Sequence, residues 1–147
     1  MAVYPPGAGF GPRRMRDFEF VWMVEGDAVY LRDGERTDAP RGSIVLCRPG
    51  AVDGFEWDRR TRTRHAYFHF QVHAVPRDWP PQSLWPLVRR PPDDDILRPM
   101  FRHILAGFGK APPAHQAASA AHLLSAFVLD VATTGELPRA TTPAATA

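Results

Sequence analysis

The stretch DFEFVWMVEGDAVYLRDGE, residues 17–35, decides the fold class of this chain. Its first part is a near-continuous run of β-branched and aromatic side chains, which is typical of a strand buried on both faces. The run ends at Glu25-Gly26, and AVYLR (28–32) predicts a second strand. Asp33-Gly34 follows, and this pair is a strong signal for a tight hairpin turn. The stretch therefore predicts two consecutive strands within an all-β first half.

Further strand-like segments follow at short intervals toward the C-terminus. They are GSIVLCRPG (42–50), which closes at Pro49-Gly50, then VDGFEW (52–57), and RHAYFHFQVH (64–73). Five or six short strands at spacings of roughly 8–12 residues are typical of a β-barrel or a β-sandwich.

Two amphipathic helices are predicted after this β-rich part. A proline-broken loop comes first, and its two tryptophans, Trp79 and Trp85, are expected to hold it against the barrel. Three aspartates at 93–95 then offer an N-cap and an acidic first turn for a helix that ends at about Gly107. A second helix is expected from about His115 to Thr133. The expected organisation is an N-terminal arm (1–14), a barrel with the tryptophan loop (15–90), a two-helix segment (91–134) and a linker (135–147).

Composition limits the function classes. The chain has 147 residues, a formal net charge of +2 and one cysteine, Cys47, inside an apolar run. A buried lone thiol favours a reducing compartment, so we expect a cytoplasmic protein. No apolar run is long enough to span a membrane, and the N-terminus lacks a signal-peptide core. The basic segment RRTRTR (59–64) has no interleaved aromatic residues for base stacking, and we interpret it as a solvated turn.

The histidines argue against a metal-dependent cupin enzyme, the first alternative for a small β-barrel. None of the six precedes His65, so the early strands supply no His-x-His pair, and Asp53 stands where a histidine would follow the Pro-Gly turn. His65, His69 and His73 share one strand face, but neighbouring histidines are four residues apart, which spans roughly 13 Å of strand. His115 and His122 are two helical turns apart, roughly 10 Å. We therefore expect no metal, no cofactor and no catalytic residues.

The order of these segments resembles the N-terminal domain of AraC-type transcription regulators. The matching pieces are Val24-Glu25-Gly26, Asp33-Gly34-Glu35, RGSIVL (41–46), Arg48-Pro49-Gly50, HAYFHF (65–70), Asp78-Trp79 and Leu84-Trp85-Pro86. The resemblance implies a cupin-like, jelly-roll β-barrel that binds a small effector without metal. It also implies a helix that pairs two subunits, and DNA binding through separate C-terminal helix-turn-helix units that these 147 residues do not include.

The resemblance also implies a set of ligand-binding residues. They are His65 and Tyr67 on the aromatic strand, Phe55 after the Pro-Gly turn, Glu25 at the end of the first strand, and Tyr4 and Phe10 on a closing arm. Glu25 stands where the sugar-sensing member has a cation, which favours a donor-rich or cationic ligand. Each of these side chains could equally serve only to pack the core.

The second helix carries two adjacent apolar rows, Leu124/Val128 and Leu123/Phe127. One row could cover the barrel while the other pairs with a second subunit, so a symmetric homodimer through these four residues is our hypothesis. The main functional prediction is an effector-sensing and dimerisation domain that is not an enzyme. The alternatives are a metal-dependent cupin enzyme, such as an isomerase or dioxygenase, and a ligand-free barrel that serves only for dimerisation.

Overall fold

A computed structural model describes residues 1–129 and shows a mainly β arrangement with two C-terminal helices. The strands of this part are β1 (Ala2–Tyr4), β2 (Gly9–Arg14), β3 (Phe18–Glu25), β4 (Ala28–Arg32), β5 (Glu35–Ala39), β6 (Ile44–Cys47), β7 (Val52–Trp57), β8 (Thr63–Phe70) and β9 (Val88–Arg89). The helices are α1 (Leu97–Gly107) and α2 (Pro113–Leu129). The expected fold class is confirmed, with more strands than the five or six anticipated.

The strands form two antiparallel sheets packed face to face. The five-stranded sheet has the order β1-β8-β3-β6-β9, and the four-stranded sheet has the order β2-β7-β4-β5. The predicted hairpin joins β4 to β5, and both turn residues have positive φ, 47° at Asp33 and 84° at Gly34. An aspartate followed by a glycine suits that turn because these residues tolerate the left-handed conformation.

Strand β3 faces two separate cores. Val21 and Met23 point between the sheets, where they join a cluster that includes Tyr30 and Phe55. Phe20, in contrast, lies on the opposite face of the sheet with Phe68 and the helices. This is why the sequence of β3 is apolar at almost every position: side chains alternate between the faces, and both faces are covered.

The helices pack on the outer face of the five-stranded sheet. The Asp95 carboxylate accepts a hydrogen bond from the backbone N–H of Arg98 at 2.9 Å just before α1, whereas the predicted acidic first turn is wrong, because all three aspartates precede the helix. Leu97 and Phe101 are buried, whereas Ile96 and Phe108, which flank α1, are about half exposed.

The four residues proposed for a dimer contact lie inside their own chain. Leu123, Leu124, Phe127 and Val128 are between 0 and 5% exposed and join the core between the sheet and the helices. Both rows are buried because the sheet and α1 cover the apolar side of α2 together. The hypothesis that these side chains form a subunit interface is therefore corrected: they are structural core.

The predicted N-terminal arm is also corrected. Residues 1–14 form two strands, with β1 paired to β8 and β2 paired to β7. Glycine and proline led to the prediction of an arm, yet these edge positions tolerate both: Gly11 has a φ of 87°, and Pro12 lies where the register between β2 and β7 shifts. The N-terminal residues thus belong to the walls of the barrel.

The tryptophan loop is held against the barrel, as expected. Trp85 is buried in the helix-facing core, and its indole N–H donates to the Pro80 carbonyl at 2.9 Å.

Neither helix within residues 1–129 is long and apolar enough to cross a membrane. The predicted end of the second helix at Thr133 and the linker 135–147 lie outside the described residues.

Candidate functional site

A cavity of about 250 Å³ opens between the two sheets. Five of the six residues predicted to bind ligand line it: Tyr4, Phe10, Phe55, His65 and Tyr67. They come from β1, β2, β7 and β8, so all four strands meet at this end of the barrel. The alternation on β8 explains the placement, since His65, Tyr67 and His69 face the cavity while Phe68 faces the helices.

Stacked rings form one wall of the cavity. The rings of Tyr4, Trp57 and His65 pack against one another, with centroids 4.8 Å apart for His65 and Trp57, 4.9 Å for Tyr4 and Trp57, and 5.7 Å for Tyr4 and His65. The interplanar angles of His65 with Trp57 and with Tyr4 are 17° and 8°, so the three rings are nearly parallel. Phe55 continues the wall by stacking on Trp57 at 4.7 Å. Such flat apolar surfaces beside a few polar atoms are usual in small-molecule sites.

His65 is a neutral histidine at physiological pH. Burial lowers its pKa from 6.5 to about 4, and the nearby N-terminal amine and Arg13 act in the same direction. Its Nδ1 atom is buried without a hydrogen-bond partner. The ring therefore contributes an uncharged imidazole to the wall, with one nitrogen able to donate and the other able to accept.

A cluster of buried charges forms the floor beside this wall. The Arg13 guanidinium donates from Nε to Asp53 Oδ1 at 2.8 Å and from Nη2 to the Glu19 carboxylate. Tyr30 donates its hydroxyl to the other Asp53 oxygen at 2.9 Å. Burial lowers the Arg13 pKa, but the hydrogen bonds to Asp53 and Glu19 outweigh it and raise that pKa. The arginine is thus firmly charged and shared between two carboxylates.

Glu25 does not reach the cavity. Its carboxylate pairs with Arg62 at 2.9 Å and Arg64 at 3.4 Å on the barrel surface. The cause is local: the register between β3 and β8 shifts between Met23 and Glu25, which ends the regular alternation there. The acidic residue that does line the cavity is Glu19, six residues earlier on the same strand.

Sequence reasoning missed Arg13, Glu19, Trp57 and His69, all of which line the cavity. A signal for Glu19 was present, because a lone carboxylate inside an apolar strand requires a buried partner. Arg13 carried no such signal, since its segment was interpreted as an arm.

The histidines lie in separate parts of the structure. His65 and His69 face the cavity, whereas His103 on α1 and His115 on α2 contact each other at the surface, with their Nε2 atoms 3.1 Å apart. Within residues 1–129, no three histidine, cysteine, aspartate or glutamate side chains are grouped as metal ligands would be.

Comparison with protein families decides what kind of barrel this is. A model of the AraC-like ligand binding domain matches residues 2–128, which is most of the chain. The chain belongs to the AraC-like ligand-binding domain family. The match includes β1 and β2, so these strands are part of the AraC-like domain and not an addition to it. No curated protein matches it.

Solved structures resemble this AraC-like domain only in outline. They include a predicted oxalate decarboxylase from Thermotoga maritima (18% identity), a cupin protein from Bacteroides fragilis (14%) and ToxT from Vibrio cholerae with a bound unsaturated fatty acid (10%). Each has a TM-score of 0.43. The alignments cover 48, 50 and 59% of this chain and 62, 64 and 37% of those chains, respectively. The chain thus spans less than two thirds of each of these structures.

Proposed function

We propose that this AraC-like domain is the effector-sensing part of a transcription regulator and binds a small polar molecule in the cavity between its sheets. The observation that carries the proposal is the composition of the cavity, where aromatic rings surround a few buried polar groups. His65 and Glu19 are 6% and 4% exposed, and both line it. A barrel filled only for stability would not be expected to keep a cavity of about 250 Å³ beside buried charges.

The proposal assigns no catalytic role and no metal. The charged groups of the cavity are already paired with one another, and His65 has no carboxylate partner that would make it a general base. The free thiol of Cys47 is fully buried, and burial raises its pKa, so it is a poor nucleophile. These features support a binding site more than a reaction centre, and a reduced buried cysteine supports a cytoplasmic location.

The proposal also covers DNA binding and dimerisation. We assign DNA contact to helix-turn-helix units of a full-length regulator, because α1 and α2 direct their apolar faces onto the barrel. Pairing of two subunits remains part of the proposal, but it must use other surface than the four buried residues of α2.

The test is a thermal-shift screen of purified protein with monosaccharides, short carboxylates, phenols and aliphatic and aromatic amines. A compound that binds the folded state raises the melting temperature in proportion to the logarithm of its concentration above its Kd. We expect at least one class to stabilise the protein. Tyr67→Ala should weaken that effect, since Tyr67 lies at the cavity and is 40% exposed, so that its loss spares the core.

Phe108→Ala is the matched control, because Phe108 is 51% exposed and does not line the cavity. If no compound stabilises the protein, or if Tyr67→Ala and Phe108→Ala behave alike, the barrel is a scaffold without an effector. Stoichiometric iron, manganese or zinc in the purified protein would favour the enzyme alternative instead.

A further inference from the structure

We infer that the cavity accepts a small organic cation, an amine or amidine attached to a compact flat group, and rejects carboxylates. This inference rests on the proposed function and specifies the ligand class of that same cavity.

The first step is the balance of charge around the cavity. Among residues 1–129, Arg13 is the one arginine that lines it, and two carboxylates, Glu19 and Asp53, hold that arginine between them. The side chains of Glu19 and Asp53 are 5% and 0% exposed, so water screens them little. The buried cluster therefore keeps an excess of negative charge after Arg13 has been neutralised.

The histidines and the N-terminus do not reverse this balance. His65 is neutral. His69 lies between Asp17 Oδ1 at 3.0 Å and Glu19 Oε1 at 3.3 Å, so a second carboxylate stands beside this histidine. The amine of Met1 is near enough to act on His65, but Met1 is 66% exposed and its charge is screened by solvent.

The second step is the availability of donors and acceptors. Arg13 already directs Nε to Asp53 and Nη2 to Glu19, so its positive charge is matched by two buried acids before any ligand arrives. Acceptors are available to an ammonium group, because carboxylate oxygens have several lone pairs and Glu19 faces the cavity. The site thus offers acceptors to a cation and repulsion to an anion.

The third step is the character of the walls. The rings of Tyr4, Phe10, Trp57 and Tyr67 all line the cavity, and aromatic faces attract cations. The fold already uses this attraction, since the Arg13 guanidinium lies 5.0 Å from the centroid of the Phe10 ring. A flat group that carries a positive charge would stack on the wall and place its charge against Glu19.

The experiment uses three probes that share a benzyl or phenyl ring and differ in charge: benzylamine, benzyl alcohol and benzoate. Their affinities are measured by calorimetry on the full chain at pH 7.5. We expect benzylamine to bind at least about tenfold more tightly than benzyl alcohol, and benzoate to bind more weakly than both. Added salt should weaken the binding of benzylamine and leave the binding of benzyl alcohol unchanged.

Glu19→Gln should bring the affinity for benzylamine to within about twofold of that for benzyl alcohol. The matched control is Glu25→Gln on the same strand, because the Glu25 carboxylate is paired on the surface and should not alter the ratio. If Glu19→Gln does not fold, the salt dependence and Asp17→Asn, which removes the second acid beside His69, test the same charge effect.

The outcomes separate this inference from the proposed function. Equal binding of all three probes, tighter binding of benzoate, or an unchanged ratio in Glu19→Gln would overturn the cationic class while leaving the cavity as a binding site. If none of the three probes binds, the inference is overturned as well. The broader screen described above then decides whether the cavity binds ligands at all.

Discussion

The imidazole of His65 lies against the indole of Trp57 with their centroids 4.8 Å apart and an interplanar angle of 17°. This contact removes the imidazole from water, and the loss of hydration lowers the pKa of His65 to about 4. The stacked pair therefore links the acid stability of the fold to the wall of the binding cavity.

Lowering the pH from 7 to 4.5 should destabilise the protein through His65. Between the ordinary pKa of 6.5 and the folded value of about 4, the unfolded chain binds a proton that the folded chain does not, so stability is present above pH 6.5 and falls as the pH decreases. The contribution is on the order of 3 kcal/mol. Urea unfolding at a series of pH values measures it, and His65→Gln should flatten the pH dependence. His73→Gln, at an exposed histidine, is the control and should leave the dependence unchanged.

Tyr4→Ala should raise the pKa of His65 toward its ordinary value. The Tyr4 ring packs beside the imidazole, with centroids 5.7 Å apart, and stacks on Trp57 at 4.9 Å, so removing it admits water to His65. The chemical shift of the His65 ring, followed by NMR during a pH titration, reports the change. Val3→Ala alters the neighbouring residue, which is 58% exposed, and should have no effect. If both variants titrate as the parent protein does, β1 does not shield the cavity.

Asp53→Ala should cost about 3–5 kcal/mol of unfolding free energy. Asp53 accepts hydrogen bonds from both Arg13 and Tyr30, so its removal leaves a largely buried guanidinium with one carboxylate and a buried hydroxyl with none. Chemical denaturation measures the loss. Glu56→Gln breaks an exposed ion pair with Arg36 and should change the midpoint very little. Similar midpoints for the two variants would mean that the Arg13 cluster does not hold the sheets together.

Phe127→Ala should lower stability by about 3–5 kcal/mol at every protein concentration. Phe127 is fully buried within one chain, and its ring centroid lies 5.2 Å from that of Phe20. The loss of unfolding free energy therefore does not depend on association between chains. Leu129→Ala, at a residue 44% exposed on the same helix, should cost far less. Unfolding midpoints are compared at two protein concentrations. A loss that appears only at high concentration would return Phe127 to the subunit interface.

The sequence was informative where the physical pattern is local. The run at β3 and the alternation of β8 follow from side-chain periodicity, and the Asp33-Gly34 turn follows from the left-handed conformation that these residues tolerate; the structure confirms all three. Five of the six proposed ligand residues also share one cavity, although that placement came from the resemblance to a family.

The remaining features depend on contacts between distant segments, which periodicity does not encode. Residues 1–14 form strands because the edges of both sheets are available to them, not because of their own composition. Glu25 leaves the cavity because of a register shift between paired strands. The rows on α2 are both buried because the sheet and α1 cover them together, and no property of the helix alone distinguishes that from a subunit contact.

Strand β3 has one consequence for how such a chain can diverge. Glu19 and Val21 line the cavity, while Phe18 and Phe20 belong to the layer beneath the helices. Inserting or deleting one residue in β3 would exchange these two sets, so that a carboxylate would enter the apolar core beneath the helices and phenylalanines would enter the cavity. Descendants of this protein are therefore expected to change specificity by substitution at 19 and 21, while insertions accumulate at the turns.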